Sequence, residues 1–224
     1  MTEGMVPQEK RFIDAIKAGD VAQVSEYLEK DPGLTGVKSD EGLSPILVAL
    51  YYGKPEIARL ILDQAPVMDI FDAAAAGDLE QVEALVEERH ELANAYNVDG
   101  FQPLGLAAFF SRPQVAKFLL EMGADPNSAS RNAMSVMPLH SAAASKNIEI
   151  AKALLERGAD PNAVQADDFR PIHEAAQNGQ LEMVQLLLEH GADPALLAAG
   201  GKSALDFAQE ADNQAIIALL QENR

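Results

Sequence analysis

Apolar residues recur along the chain in short blocks at helical spacing, as in Ile57, Leu60 and Ile61 or Val184, Leu187 and Leu188. Such blocks predict short amphipathic helices that bury one stripe in a shared core. The blocks come in pairs, each pair hinged on a turn residue: Gly19, Gly53, Gly77, Ser111, Lys146, Gly179 and Asp212. Successive hinges lie 34, 24, 34, 35, 33 and 33 residues apart, which predicts seven helix pairs stacked as an array. Proline supports this register. Pro45, Pro103, Pro138 and Pro171 open first helices and Pro55 and Pro113 open second ones, at a position where the missing N–H costs nothing. The one short step leaves residues 64–69 too brief for a projecting hairpin, so a gap is expected in a row of hairpin fingers.

Between pairs, the tetrapeptide Gly-Ala-Asp-Pro occurs at residues 123–126, 158–161 and 191–194. About a dozen residues after each come Met137-Pro138-Leu139-His140-Ser141-Ala142, Arg170-Pro171-Ile172-His173-Glu174-Ala175 and Ser203-Ala204-Leu205-Asp206-Phe207-Ala208. These resemble the Thr-Pro-Leu-His-x-Ala signature of ankyrin repeats. The resemblance implies a right-handed all-α solenoid and a protein-binding role. Residues 99–110 and 130–134 extend it to a group of prokaryotic cytoplasmic ankyrin-repeat domain proteins, for which no activity is implied. One domain over 1–224 is expected, with units near 9–41, 42–66, 67–99, 100–134, 135–167, 168–200 and 201–224, the first and last as polar caps. The chain departs from the signature at the capping threonine, replaced by Ser44, Gln102, Met137 and Arg170. Residues 13–63 also align on 71–121 at a constant offset of 58, so a two-unit block is duplicated.

The 35 acidic against 17 basic residues, a formal net charge of -18, argue against a nucleic-acid surface, which needs clustered Lys and Arg. No Cys is present, which excludes disulfides and thiolate metal sites and fits a cytoplasmic setting. No leader-like apolar region opens the chain and no apolar run is long enough to span a membrane, so a protein without membrane attachment, monomeric when free, is expected.

Catalytic chemistry finds no support. His90, His140, His173 and His190 follow the repeat rather than converge, so no metal site or cofactor is expected. Gly200-Gly201-Lys202-Ser203 lacks the upstream glycine of a phosphate loop, with Leu196 in its place. Binding candidates are clearer. On the first helices, Val48, Tyr51 and Tyr52, and likewise Leu106, Phe109 and Phe110, form a second stripe expected to face the concave groove. Between them Asp72, Ala75 and Ala76 are small, which suggests an aromatic-walled notch between units 2 and 4; the same rings could equally collapse into core. Further along, the stripe reads Ser141, Ala144, Ser145, then Glu174, Gln177 and Asn178. Tyr96, Phe101, Arg131, Asn132, Met134, Val136, Asp167 and Phe169 sit on fingers, where rigidly held loop tips make good contact points. The expected function is non-catalytic binding of a partner protein by the concave face and fingers. A regulatory or inhibitory subunit of one enzyme, or a small-ligand protein using the notch, remain alternatives.

Overall fold

A computed structural model describes residues 7–64 and 67–223. Among these residues there are fourteen α-helices and no strand, arranged as helix–turn–helix pairs stacked in chain order. The pairs are α1 (Gln8–Ala18) with α2 (Val21–Lys30), α3 (Pro45–Tyr51) with α4 (Pro55–Leu62), and α5 (Ile70–Ala76) with α6 (Leu79–Glu88). Then come α7 (Pro103–Phe109) with α8 (Pro113–Glu121), α9 (Pro138–Ala144) with α10 (Ile148–Glu156), α11 (Pro171–Gln177) with α12 (Leu181–Glu189), and α13 (Ala204–Glu210) with α14 (Gln214–Glu222). Each odd-numbered helix packs on the next odd one, and α2 on α4, α6 on α8, α8 on α10, α10 on α12 and α12 on α14, so the stack has two helical layers.

The seven hinge residues share one conformation. All lie at positive φ, from 86° at Gly77 to 50° at Asp212, with Ser111 at 60° and Lys146 at 57°. Glycine adopts this left-handed turn freely, whereas Ser111, Lys146 and Asp212 occupy it against the steric cost of a Cβ. The prolines occupy first-turn positions of α3, α4, α7, α8, α9 and α11. Where the signature threonine is lost, capping is uneven. The Ser44 hydroxyl still accepts from Leu47 N at 3.1 Å, and Ser203 with Asp206 forms a capping box, but Gln102 and Met137 offer no side-chain cap. At α11 the ring of His173 takes over part of the task, Nδ1 accepting from Arg170 N at 3.2 Å while Nε2 donates to Leu196 O at 3.0 Å.

Two kinds of polar stitch run along the later units. Hairpin fingers close at residues 97–101, 130–136, 165–169 and 198–202, and neighbours join by Arg131 N to Gly100 O, Ala166 N to Met134 O and Ala199 N to Asp167 O, at 2.7–2.9 Å. Below them, asparagines bridge successive loops: Asn94, Asn127 and Asn162 each donate to the Gly carbonyl of the next Gly-Ala-Asp-Pro turn and accept from its Asp amide, at 2.8–3.2 Å. Among the described residues neither stitch occurs earlier. A finger closes at 39–43, but among the described residues no hairpin forms over 64–69 and no backbone bond joins 39–43 to 97–101. Of the expected gap, Ala65 and Pro66 lie outside the described residues. The fingers on either side lean together instead, so that a Cβ on Gly42 would stand 3.6 Å from the Val98 side chain.

The core divides at the same place. Phe12, Ile16, Val24, Leu28, Ile46, Ile57 and Ile61 form one cluster, and a second runs from Ile70 to Leu220. Met68 packs against both, and Leu47, Ala75 and Leu106 tie the inner helices α3, α5 and α7 together across the seam.

Candidate functional site

The inner helices are only two turns long, which decides which side chains reach the groove. Their first stripe position is closed by the neighbouring inner helices, so Val48 and Leu106, expected in the groove, are fully buried, as is Ser141, and Asp72 is 5% exposed. Leu106 belongs instead to the packing of Leu47 and Ala75 across three helices. The later positions do reach the surface: Tyr52 is 51% and Phe109 43% exposed, both large apolar rings in water.

The open notch expected over Ala75 is filled. Ala75 is so small that Tyr51 from α3 and Phe110 after α7 meet above it, ring centres 5.2 Å apart, and Phe109 stands edge-on to Phe110 at 5.0 Å. Such tilted and edge-to-face pairs add to burial and hold the rings rigid. Open space lies to the finger side of this cluster, in a cavity of about 540 Å³ lined by Lys17, Leu43, Val48, Tyr51, Tyr52 and Phe101, with Glu41, Val98, Asp99, Arg131 and Asn132 above. It is roofed by the fingers that lean across the gap.

Charge in the cavity is unevenly paired. Lys17 Nζ is 3.3 Å from Glu41 and 5.6 Å from the centre of the Tyr52 ring. Arg131 stacks on Tyr96 at 3.7 Å, and the Tyr96 hydroxyl bonds Ser128 at 2.8 Å. Asp99 has no ion-pair partner among the described residues; burial holds its carboxyl above the usual range, Glu41 adding to the rise and the Tyr51 hydroxyl opposing it. Burial, reinforced by the neighbouring Asp99 carboxylate as charge and as hydrogen-bond partner, pushes the Tyr51 phenol strongly upward, and its oxygen is sealed from solvent.

The remaining candidates divide between scaffold and surface. Asn132 braces its finger, accepting from Ser130 Oγ and Met134 N and donating to Asp99 O at 3.0 Å. Val136 closes the same hairpin through its N–H to Ser130 Oγ at 2.8 Å. Phe169 packs edge-on against Phe207 at 5.4 Å and beside His173. Met134, Asp167 and Gln177 are exposed, while Glu174 is half-buried and accepts from Asn178 at 2.6 Å. Tyr51, Tyr52, Phe101, Phe109, Phe110, Arg131 and Asn132 are thus gathered around one place; Asp167, at the end of unit 5, and Phe169, Glu174 and Gln177, in unit 6, lie further along the stack. The sequence reading did not single out Lys17, Glu41, Val98 and Asp99. The duplication held the signal, since at an offset of 58 Glu41 falls on Asp99.

Buried ionisable groups elsewhere serve packing. Asp72 accepts from Ser44 Oγ across the seam, and burial together with neighbouring Asp69 raises its pKa to about 6, against the lowering pull of Ser44 and Lys38. Burial lowers His140 to about 4, with Arg170 adding to the fall and Asp160 and backbone hydrogen bonds opposing it. Its Nε2 lies 3.3 Å from Phe169 O. Among the described residues no three potential ligands converge on a metal position, and no helix is long and apolar enough to cross a membrane.

Stacked two-turn helix pairs with hairpin fingers and a solvent-facing groove define a helical repeat protein of the solenoid class. Family comparison gives the particular kind: ankyrin-repeat models match residues 70–120 and 139–224, about three fifths of the chain between them. The chain is an ankyrin-repeat protein. It is 30% identical over 128 residues to Ankyrin repeat and SAM domain-containing protein 6 of Rattus norvegicus, covering 56% of this chain and 12% of that protein. Alpha-latrocrustotoxin-Lt1a of Latrodectus tredecimguttatus is 28% identical over 126 residues, 52% of this chain and 9% of the toxin. DNA-binding protein RFXANK of Homo sapiens is 33% identical over 70 residues, 31% of this chain and 27% of that protein. The chain spans less than a third of the length of each of these curated relatives.

Proposed function

We propose that the chain binds a partner protein through its concave face and fingers and catalyses no reaction. Ankyrin repeats are in general protein–protein interaction modules. The observation that carries the finer reading is the exposure of Tyr52 and Phe109 on either side of the packed rings of Tyr51 and Phe110, beside an open cavity. Rigid aromatics at the edge of a cavity are the kind of anchor that dominates binding energy, since little side-chain entropy is lost when they are covered. Phe101, Arg131 and Met134 on the adjoining fingers extend the surface.

The test is affinity capture from the native lysate with wild type and a Tyr52→Ala, Phe109→Ala double variant shown to be folded by circular dichroism. A protein retained by wild type and lost by the variant supports the reading. No retained protein, or equal retention by both, removes the aromatic surface from it. A cavity of about 540 Å³ also suits a small ligand. That second reading requires a compound that raises the melting temperature of the chain with no second protein present.

A further inference from the structure

The cavity lies between the two halves of the internal duplication, and the halves complete it differently. At the offset of 58, Glu41 corresponds to Asp99, Tyr52 to Phe110 and Lys17 to Ala75. In the first half the chain supplies its own cation: Lys17 reaches across to Glu41 and lies over the Tyr52 ring. In the second half the corresponding position is Ala75, fully buried and uncharged. Asp99 is therefore the cavity carboxylate left without a cation among the described residues. Neither resident base fills the role, because Lys17 is engaged with Glu41 and Arg131 is stacked on Tyr96.

The Tyr51 phenol sits beside it, its oxygen sealed from solvent and placed against the Asp99 carboxylate, whose charge it helps to hold. A carboxylate held in this way and the rings of Tyr52 and Phe101 make a receptor for a positively charged donor. The net charge of -18 draws basic segments toward the chain.

We infer that the cavity receives a basic side chain, lysine or arginine, from an extended segment of the partner protein, its cation placed against Asp99 beside the Tyr52 and Phe101 rings. This inference rests on the protein-binding reading above. The partner then supplies in trans, at Asp99, what Lys17 supplies in cis at Glu41.

The test is an amide chemical-shift titration of the full chain with the tripeptide acetyl-Gly-Arg-Gly-amide and its citrulline analogue, which keeps the shape and loses the charge. The arginine peptide is expected to give saturable shifts at Tyr52, Val98, Asp99 and Phe101, and the citrulline peptide to bind about tenfold more weakly. Asp99→Asn should weaken the arginine peptide by about tenfold and Tyr51→Phe by about threefold. Equal binding of the citrulline peptide, or unchanged affinity in a natively folded Asp99→Asn variant, overturns the inference. So do shifts that map away from the cavity, or none up to the solubility limit. If Asp99→Asn does not fold, Tyr51→Phe and the citrulline comparison decide. Lysate capture that still depends on Tyr52 and Phe109 while the peptide fails would leave the protein-binding reading standing and remove only the cation; loss of both removes the reading itself.

Discussion

The first three units and the last four bury the same kind of core and are held side by side by different means. From unit 4 onward every junction carries a finger-to-finger backbone bond, and an asparagine bridge spans from Asn94 through each Gly-Ala-Asp-Pro turn. Across units 1 to 3 the place of Asn94 is taken by Gly36 at the 58-residue offset, no third finger closes among the described residues, and the junctions rely on apolar contact and single side-chain bonds such as Ser44 to Asp72. The difference teaches that in a solenoid the repeat period and the lateral attachment are separable. Hydrophobic spacing sets the first, and a few polar loop residues set the second.

The comparison breaks most severely at Gly100. Its φ is 80° and an added Cβ would stand 2.8 Å from the backbone of Arg131, so Gly100→Ala should cost about 2–4 kcal/mol in urea-induced unfolding. Its effect should be greatest on exchange protection in fingers 97–101 and 130–136.

Acidification should move the two regions in opposite directions. Asp72, with a folded pKa of about 6, is protonated more readily in the folded chain than in the unfolded one. Stability at the seam therefore falls as pH rises through about 4 to 6, by up to about 3 kcal/mol. His140, lowered to about 4, contributes stability that is fully present above its unfolded value and is lost as pH falls through the same window. Hydrogen exchange at pH 7 and pH 5 should show α3 and α5 gaining protection on acidification and α9 with the 165–169 finger losing it. Asp72→Asn should abolish the first response only, which separates it from the general relief of negative charge.

Removing one asparagine bridge is a smaller perturbation. Asn127→Ala frees Gly158 O and Asp160 N and should cost about 1–2 kcal/mol, confined to units 4 to 6. The finest contrast is at the hinges: Lys146→Gly should raise stability by about 0.5–1 kcal/mol by removing a side chain from a left-handed turn, measured as an upward shift of the thermal midpoint.

Much of the scaffold could be read from the chain because its cues are local. A proline at a helix start and a hinge that must turn left-handed constrain their own backbone, and the seven hinges and six helix-opening prolines lie where expected. The site was less legible because it depends on tertiary approach. Nothing in the spacing says that the fingers flanking a short step will lean together, bringing Val98 to Gly42 and placing Asp99 over Tyr51. Stripe counting likewise failed at Val48 and Leu106, since helical periodicity does not state how far a neighbouring helix covers a two-turn helix. The bridges at Asn94, Asn127 and Asn162 recur at 33 and 35 residues, yet a repeated polar residue in a loop becomes a strut only when the next loop presents its carbonyl and amide.

The divided core has a mechanical consequence. Tension applied between the two ends of a stack passes through every junction in series, so extension begins at the most compliant one. In this chain that junction is the seam between α4 and α5, where among the described residues no backbone bond crosses between fingers and Met68 is shared by two separate apolar clusters. Under load the molecule should behave as a stiff rod of five units and a shorter one of two, parting first at the packing contacts of this seam.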